Sequence, residues 1–207
     1  MPSTRIKICG ITRPEDAELA AALGADAIGM VFYEPSPRHV TDLGLAREIA
    51  DAAGPFTTVV ALTVNMVFRE LDKVLNKVPV NLLQFHGDEN EKICRQFQRP
   101  YIKAIRMRPG VDLEAEITAF ESSSGILLDT YVKGIPGGTG EAFNWHSVPQ
   151  NTAKPIILAG GLHADNVAEG IRVAKPYAVD VSGGVEAEKR IKDSAKLRAF
   201  IANAKAS

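Results

Sequence analysis

Short apolar, β-branched runs recur along the chain at intervals of roughly 20 to 30 residues. They predict strands over Thr4–Cys9, Asp26–Phe32, Thr57–Val64, Val80–Phe85, Tyr101–Ile105, Gly125–Asp129, Pro155–Ala159 and Tyr177–Ser182. Most of these runs are apolar on both faces, as in Ile156-Ile-Leu-Ala159 and Thr58-Val-Val-Ala-Leu62. Parallel strands covered by helices have that composition, whereas antiparallel strands with one wet face alternate. Between the runs lie helix signals. Thr12-Arg-Pro-Glu15 reads as a capping box before an Ala-rich stretch, and Gly24 sits where a C-terminal cap belongs. Thr41–Ala53 stops at Gly54-Pro55, and Phe68–Lys77, Glu89–Gln98, Ala164–Val173 and Glu188–Ala204 are further amphipathic segments. Asp112–Phe120 is a weaker helix, Lys133–Gly140 reads as a long loop, and any helix after it is short and near Trp145.

Eight strand–helix units predict an α/β fold: a small (β/α)8 TIM barrel, one domain over residues 1–207, with a short or irregular helical segment near strands five and six. A doubly wound open sheet is the main competitor, because strand count alone does not prove closure. The barrel is favoured by where the chemically loaded residues fall. Cys9, Asp129, Gly160-Gly161 and Ser182-Gly183-Gly184 all lie at or just after the C-terminal ends of predicted strands, the rim on which barrels build their sites.

Composition narrows the partners. The 207 residues carry 24 Lys+Arg against 25 Asp+Glu, a net charge of -1, with 45% hydrophobic residues. That balance argues against disorder and removes the positive field of a nucleic-acid binder. No apolar run reaches the roughly 18 residues that cross a bilayer, and the first residues lack the apolar centre of a signal peptide. The expectation is a cytoplasmic protein with no membrane and no nucleic-acid partner, and no obligate protein partner is inferred. Cys9 and Cys94 form no Cys-x-x-Cys pair, and His39, His86, His146 and His163 show no His-x-x-x-His spacing. Neither a disulfide scaffold nor a metal site is expected.

The rim residues suggest two anion sites and an acid–base pair. The glycine turns after strands seven and eight would let backbone amides approach a phosphate, a common site in this fold; one Gly-Gly pair alone would read equally well as a simple tight turn, and two at adjacent strand ends favour the cradle. Strand alternation puts Lys7 and Cys9 on the inner face and Ile6 and Ile8 against the helices. A lone cysteine is usually a small buried hydrophobe, but on this rim it can serve as a base if its thiol, ordinarily near 8.5, is deprotonated. Lys7, helix dipoles or the substrate could favour the thiolate. Asp129 follows three large apolar residues, and partial desolvation there suits a general acid; a helix cap is the plain alternative. Asp180, within strand eight, is read as the buried partner of Lys7. Arg38, on the Pro-stiffened Ser36-Pro-Arg38 loop, is a carboxylate clamp in prospect. His86 could contact substrate, but the expectation is a hydrogen bond to a neighbouring loop. Cys94, within a helical stretch, is read as a core or surface residue only.

These motifs follow a known order. Lys7-Ile-Cys-Gly-Ile-Thr12, Gly24-Ala-Asp-Ala-Ile-Gly29, Ser36-Pro-Arg38, Gln84-Phe-His-Gly-Asp-Glu89, Leu127-Leu-Asp129, Gly137-Gly-Thr-Gly140, Phe143-Asn-Trp145, Leu158-Ala-Gly-Gly-Leu162 and Asp180-Val-Ser-Gly-Gly-Val-Glu186 closely resemble the phosphoribosylanthranilate isomerase family of tryptophan biosynthesis, across essentially the whole chain. The resemblance implies an Amadori rearrangement of a small phosphosugar substrate without cofactor or metal. It implies Asp129 as the general acid that opens the furanose ring and Cys9 as the base that removes the C2′ proton. Arg38 would hold the anthranilate carboxylate, and Gly160, Gly161, Ser182, Gly183 and Gly184 the phosphate, with Lys7 and Asp180 as structural support. The chain has Ser182-Gly-Gly184 where the family often has Ser-Ser-Gly, Ala61-Leu-Thr-Val-Asn65 in place of a strand-three end that frequently carries an aromatic, and Asn144 where Asp is usual. Two alternatives stay open: a histidine-pathway phosphosugar isomerase barrel, expected to carry Asp where this chain has Cys9, and a non-catalytic phosphosugar-binding module.

Overall fold

Eight parallel strands close on themselves in the order β1 to β8: Arg5–Cys9, Ala27–Phe32, Thr58–Thr63, Leu82–Phe85, Tyr101–Met107, Gly125–Thr130, Ile156–Leu158 and Ala178–Val181. The computed structural model describes residues 3–130 and 143–207, so the predicted loop Lys133–Gly140 lies outside the described residues. Closure comes from β1 pairing with β8, with Lys7 opposite Asp180 and Ile8 opposite Val181. An open doubly wound sheet would instead bury the first strand inside the sheet and leave two other strands as unpaired edges.

The alternation read from the sequence sorts two cores. Ile6, Ile8, Ile28, Met30, Ile126 and Leu128 face outward and pack with helix residues such as Ala17, Ile49 and Leu71. Ile102, Ala104, Leu127, Ile157, Ala159 and Ala178, all on or beside strands, fill the barrel interior. Above them, nearer the C-terminal rim, Cys9, Val31 and Leu62 form a small cluster. Burying such side chains contributes about 1.5–3 kcal/mol each, so the sheet cannot slip by one residue without moving both sets to the wrong face.

The helices between strands are α1 Pro14–Ala22, α2 Leu43–Ala52, α3 Phe68–Lys77, α4 Glu91–Arg95, α5 Leu113–Ala119, α6 Val167–Ala174 and α7 Ser194–Lys205. Their ends are chemical. Asp42, Asn90, Asp112 and Asp193 each accept a backbone N–H of the first turn, and Gly24 follows α1 at φ +89, a conformation that favours glycine. After β6 the described residues carry only a 3₁₀ turn, Trp145–Ser147, capped by the Asn144 carboxamide.

Two expectations are corrected. The capping box at Thr12 does not form: Arg13 occupies the cap position, and the Thr12 hydroxyl donates instead to the Arg190 carbonyl at 2.7 Å. The last helix begins at Ser194, not near residue 188, because the segment before it is a hairpin of β9 Glu186–Glu188 and β10 Ile191–Lys192. Arg190 turns that hairpin at φ +80, and Asp193 then caps α7.

Candidate active site

The inner ends of β1 and β8 carry a buried ion pair. Lys7 Nζ donates to Asp180 Oδ1 at 2.9 Å, with 6% and 8% of the two side chains exposed. Burial disfavours the Lys7 charge, yet Asp180 and Cys9 outweigh it and raise the ammonium above its ordinary value. One step up the same face lies Cys9, also buried. Burial pushes its thiol up, Lys7 opposes this, and Asp180 adds to it; the net direction is upward. The Lys7 charge therefore moderates the thiol without depressing it below the usual range. Gly29, opposite Cys9 on β2, makes the space for both side chains: a Cβ there would stand 2.9 Å from Sγ and 3.2 Å from Lys7 Nζ.

Across the rim, Asp129 is buried near the end of β6. Its Oδ1 accepts the Thr130 N–H at 2.9 Å, and Oδ2 lies 3.1 Å from His86 Nε2. His86 Nδ1 is 3.0 Å from Gln84 Nε2. With that amide donating to Nδ1, the neutral ring carries its proton on Nε2 and donates it to Asp129. His86 thus pairs with Asp129 and not with a neighbouring loop, which corrects the expectation for it. The signal was present in the sequence, since Gln84 lies on β4 and His86, two residues on and just past its end, falls on the same face. Arg106 was missed because β5 runs to Met107, beyond the predicted end. Its Cα is paired with Asp129, and its Nη2 donates to the His86 carbonyl at 3.1 Å, while its Nε is buried without a partner. A cavity of about 330 Å³ opens beside this group, lined in part by His86, Arg106 and Phe120.

The two glycine turns touch. Gly160 and Gly161 have φ +78 and +67, and a Cβ on Gly160 would run into Thr130. A Cβ on Gly184 would run into the Leu162 carbonyl, so the turn after β8 lies directly on the turn after β7. Asn166 ties the β7 turn to the start of α6, accepting from His163 N at 2.8 Å and donating to Gly161 O at 2.9 Å. Gly183 sits beside Arg38, whose Nη2 would be 3.2 Å from an added Cβ.

Arg38 is engaged from the side. Its Nε and Nη2 donate to Glu186 Oε1 and Oε2 at 2.7 and 2.6 Å, and Lys192 Nζ donates to Glu186 Oε1 at 3.1 Å and to the Ser182 carbonyl at 3.1 Å. Burial pushes the Glu186 carboxyl up, but the two cations outweigh it and hold it below the ordinary range. Burial lowers the Lys192 ammonium, and Glu186 offsets part of this. Cys94 is a core residue on α4, its thiol pushed up to about 12, chiefly by burial. The Gly137–Gly140 motif lies outside the described residues. Among the described residues no helix is long and apolar enough to cross a membrane.

Closed parallel barrel, helical exterior and a rim that gathers charged and nucleophilic side chains at the C-terminal strand ends define a (β/α)8-barrel enzyme. The profile of the family described as N-(5'phosphoribosyl)anthranilate (PRA) isomerase matches residues 6–203. The chain belongs to that family. It is 59% identical over 201 residues to the N-(5'-phosphoribosyl)anthranilate isomerase of Pseudomonas aeruginosa, covering 97% of this chain and 95% of the relative. The crystal structure of phosphoribosyl anthranilate isomerase from Thermotoga maritima superposes with a TM-score of 0.89 at 36% identity, covering 99% of this chain and 100% of that one. A phosphoribosyl anthranilate isomerase solved in complex with reduced 1-(o-carboxyphenylamino)-1-deoxyribulose 5-phosphate superposes with a TM-score of 0.87, also at 36% identity and with the same coverage.

Proposed function

We propose that this chain isomerises N-(5-phosphoribosyl)anthranilate to 1-(2-carboxyphenylamino)-1-deoxyribulose 5-phosphate, with Asp129 as general acid and Cys9 as general base. The observation that carries the assignment is the pairing of a hydrogen-bonded carboxylate on β6 with an unpaired thiol on β1, both buried on the inner rim of one barrel. Asp129 protonates the ring oxygen; the C1′–O bond breaks as the anilino nitrogen's lone pair forms the C=N bond, giving an open-chain iminium. His86 Nε2, 3.1 Å from Asp129 Oδ2, orients the carboxyl group that delivers this proton.

Cys9 then removes the C2′ proton, and those electrons neutralise the iminium to an enolamine. The iminium charge helps the buried thiol lose its proton. The enolamine gains a proton at C1′ and loses the enol proton to give the ketone. Arg38 holds the ring carboxylate, while the turns Gly160–Gly161 and Ser182–Gly184 hold the phosphate through backbone amides and the start of α6. Lys7 and Asp180 support the floor below Cys9.

A fluorescence assay with purified protein, following loss of the anthranilate adduct, tests the assignment. Turnover that falls by at least about 10²-fold in both Cys9→Ala and Asp129→Asn supports it. Near-wild-type turnover in a folded Cys9→Ala protein overturns the assignment of the base.

A further inference from the structure

We propose that Glu186, charged and flanked by Lys192, is a positioning residue for Arg38: it holds one edge of the guanidinium so that the opposite edge is presented to the substrate's ring carboxylate. The proposal rests on the reading of Arg38 as the carboxylate clamp. A guanidinium has five N–H groups in a rigid fork. Glu186 takes two of them, on Nε and Nη2, in a side-on pair at 2.7 and 2.6 Å. The remaining N–H groups, on Nη1 and Nη2, form the end-on edge that a second carboxylate can grip in parallel.

Geometry alone would leave a weak clamp, because Arg38 and Glu186 together are neutral. Lys192 corrects this. Its ammonium is wholly buried and 3.1 Å from Glu186 Oε1, so two cations share one carboxylate and the cluster keeps a single positive charge. The β9–β10 hairpin that supplies both residues also grips the backbone on either side of Arg38: Arg190 Nη1 donates to the carbonyls of Pro37 at 3.2 Å and His39 at 3.3 Å. The Glu186 carbonyl is in turn held by Lys196 on α7 at 2.7 Å. An arginine on a loop ordinarily loses rotamer freedom when it binds an anion. Here that freedom is removed before substrate arrives, which is how a preorganised site gains affinity. Glu186 itself touches no substrate in this arrangement.

The test separates Glu186 from the clamp it serves. Wild type, Glu186→Gln and Arg38→Ala are compared by substrate kinetics and by competitive inhibition with two stable reduced product analogues, one bearing the ring carboxylate and one with a bare anilino ring. Glu186→Gln should raise KM and the Ki of the carboxylate analogue about tenfold, the scale of a weakened charge-assisted pair. It should leave kcat within about threefold, and the Ki of the anilino analogue and of inorganic phosphate unchanged. Glu186→Asp, which keeps the charge but not the reach, should fall between the two; it carries the same comparison if Glu186→Gln does not fold. An equal rise for both analogues, or none for either, overturns the proposal and leaves Glu186 a structural residue. If instead Arg38→Ala fails to discriminate between the analogues, the clamp reading itself falls.

Discussion

Replacing Lys7 with Met should strand the Asp180 carboxylate inside the barrel. The two groups are 2.9 Å apart with 6% and 8% of their side chains exposed, so neither can turn to water when its partner is removed. Breaking a buried pair of this kind costs about 3–5 kcal/mol, most of it the uncompensated charge. For a chain of this length that corresponds to a loss of about 6–20 °C in Tm. Lys7→Met with Asp180→Leu removes both charges and fills the space with apolar atoms, so it should recover much of the loss. Urea denaturation followed by circular dichroism, with all four proteins of the cycle, reads the coupling directly. A double variant as unstable as Lys7→Met, or a single variant that costs less than about 1 kcal/mol, would refute the reasoning. The pair also sets an alkaline limit. Because the folded state raises the Lys7 ammonium above its ordinary value, its contribution is complete below the unfolded value of about 10.4 and is lost as pH rises through the folded one.

Further outcomes follow from the rim. Since burial first, and Asp180 after it, holds the Cys9 thiol above its usual range against the pull of Lys7, its rate of alkylation by a small electrophile in the substrate-free protein should keep rising with pH through neutrality; a plateau already reached near pH 6 would contradict a thiol of this environment. The Lys7→Met, Asp180→Leu protein should need still higher pH for the same alkylation, because it loses the larger, opposing influence. Gly161→Asp should weaken inhibition by inorganic phosphate, adding a like charge and a side chain at φ +67, while Arg38→Ala should weaken the anthranilate end and leave phosphate inhibition little changed; the reverse pattern would mean the substrate lies the other way round. Gly184→Asp should cost stability as well as phosphate affinity, because its side chain must displace the Leu162 carbonyl, and thermal melts of the purified variant would show it.

Local alternation carried most of the barrel. It predicted that Lys7 and Cys9 face inward, and barrel closure then set Asp180 opposite Lys7 in register. What escaped was held by distant partners. Glu188, Lys189 and Arg190 look like the start of a helix, but Glu186 is paired with Arg38 148 positions earlier, and Lys192 N reaches back to Asp16 across 176. No window of local propensity contains those contacts. Thr12 failed as a capping residue for the same reason, its hydroxyl being taken by Arg190. His86 was legible as an inward residue, but its partner was not, since the choice between Asp129 and a loop depends on how β4 and β6 face each other across the barrel. Arg106 was lost to a strand end drawn too early.

The seam between the first and last strands has a consequence for how the molecule is made. Lys7 meets Asp180, Thr12 meets Arg190, Asp16 meets Lys192 and Arg38 meets Glu186, each across 148 positions or more. A chain emerging from the ribosome at about 5–20 residues per second therefore holds Lys7 and Arg38 without their partners until Asp180 and Glu186 have been made. Closure of the sheet and anchoring of Arg38 both wait for the segment from β8 to β10. A chain lacking the β9–β10 hairpin keeps Cys9 and Asp129 but leaves Arg38 without Glu186 beside it and without Arg190 on its backbone.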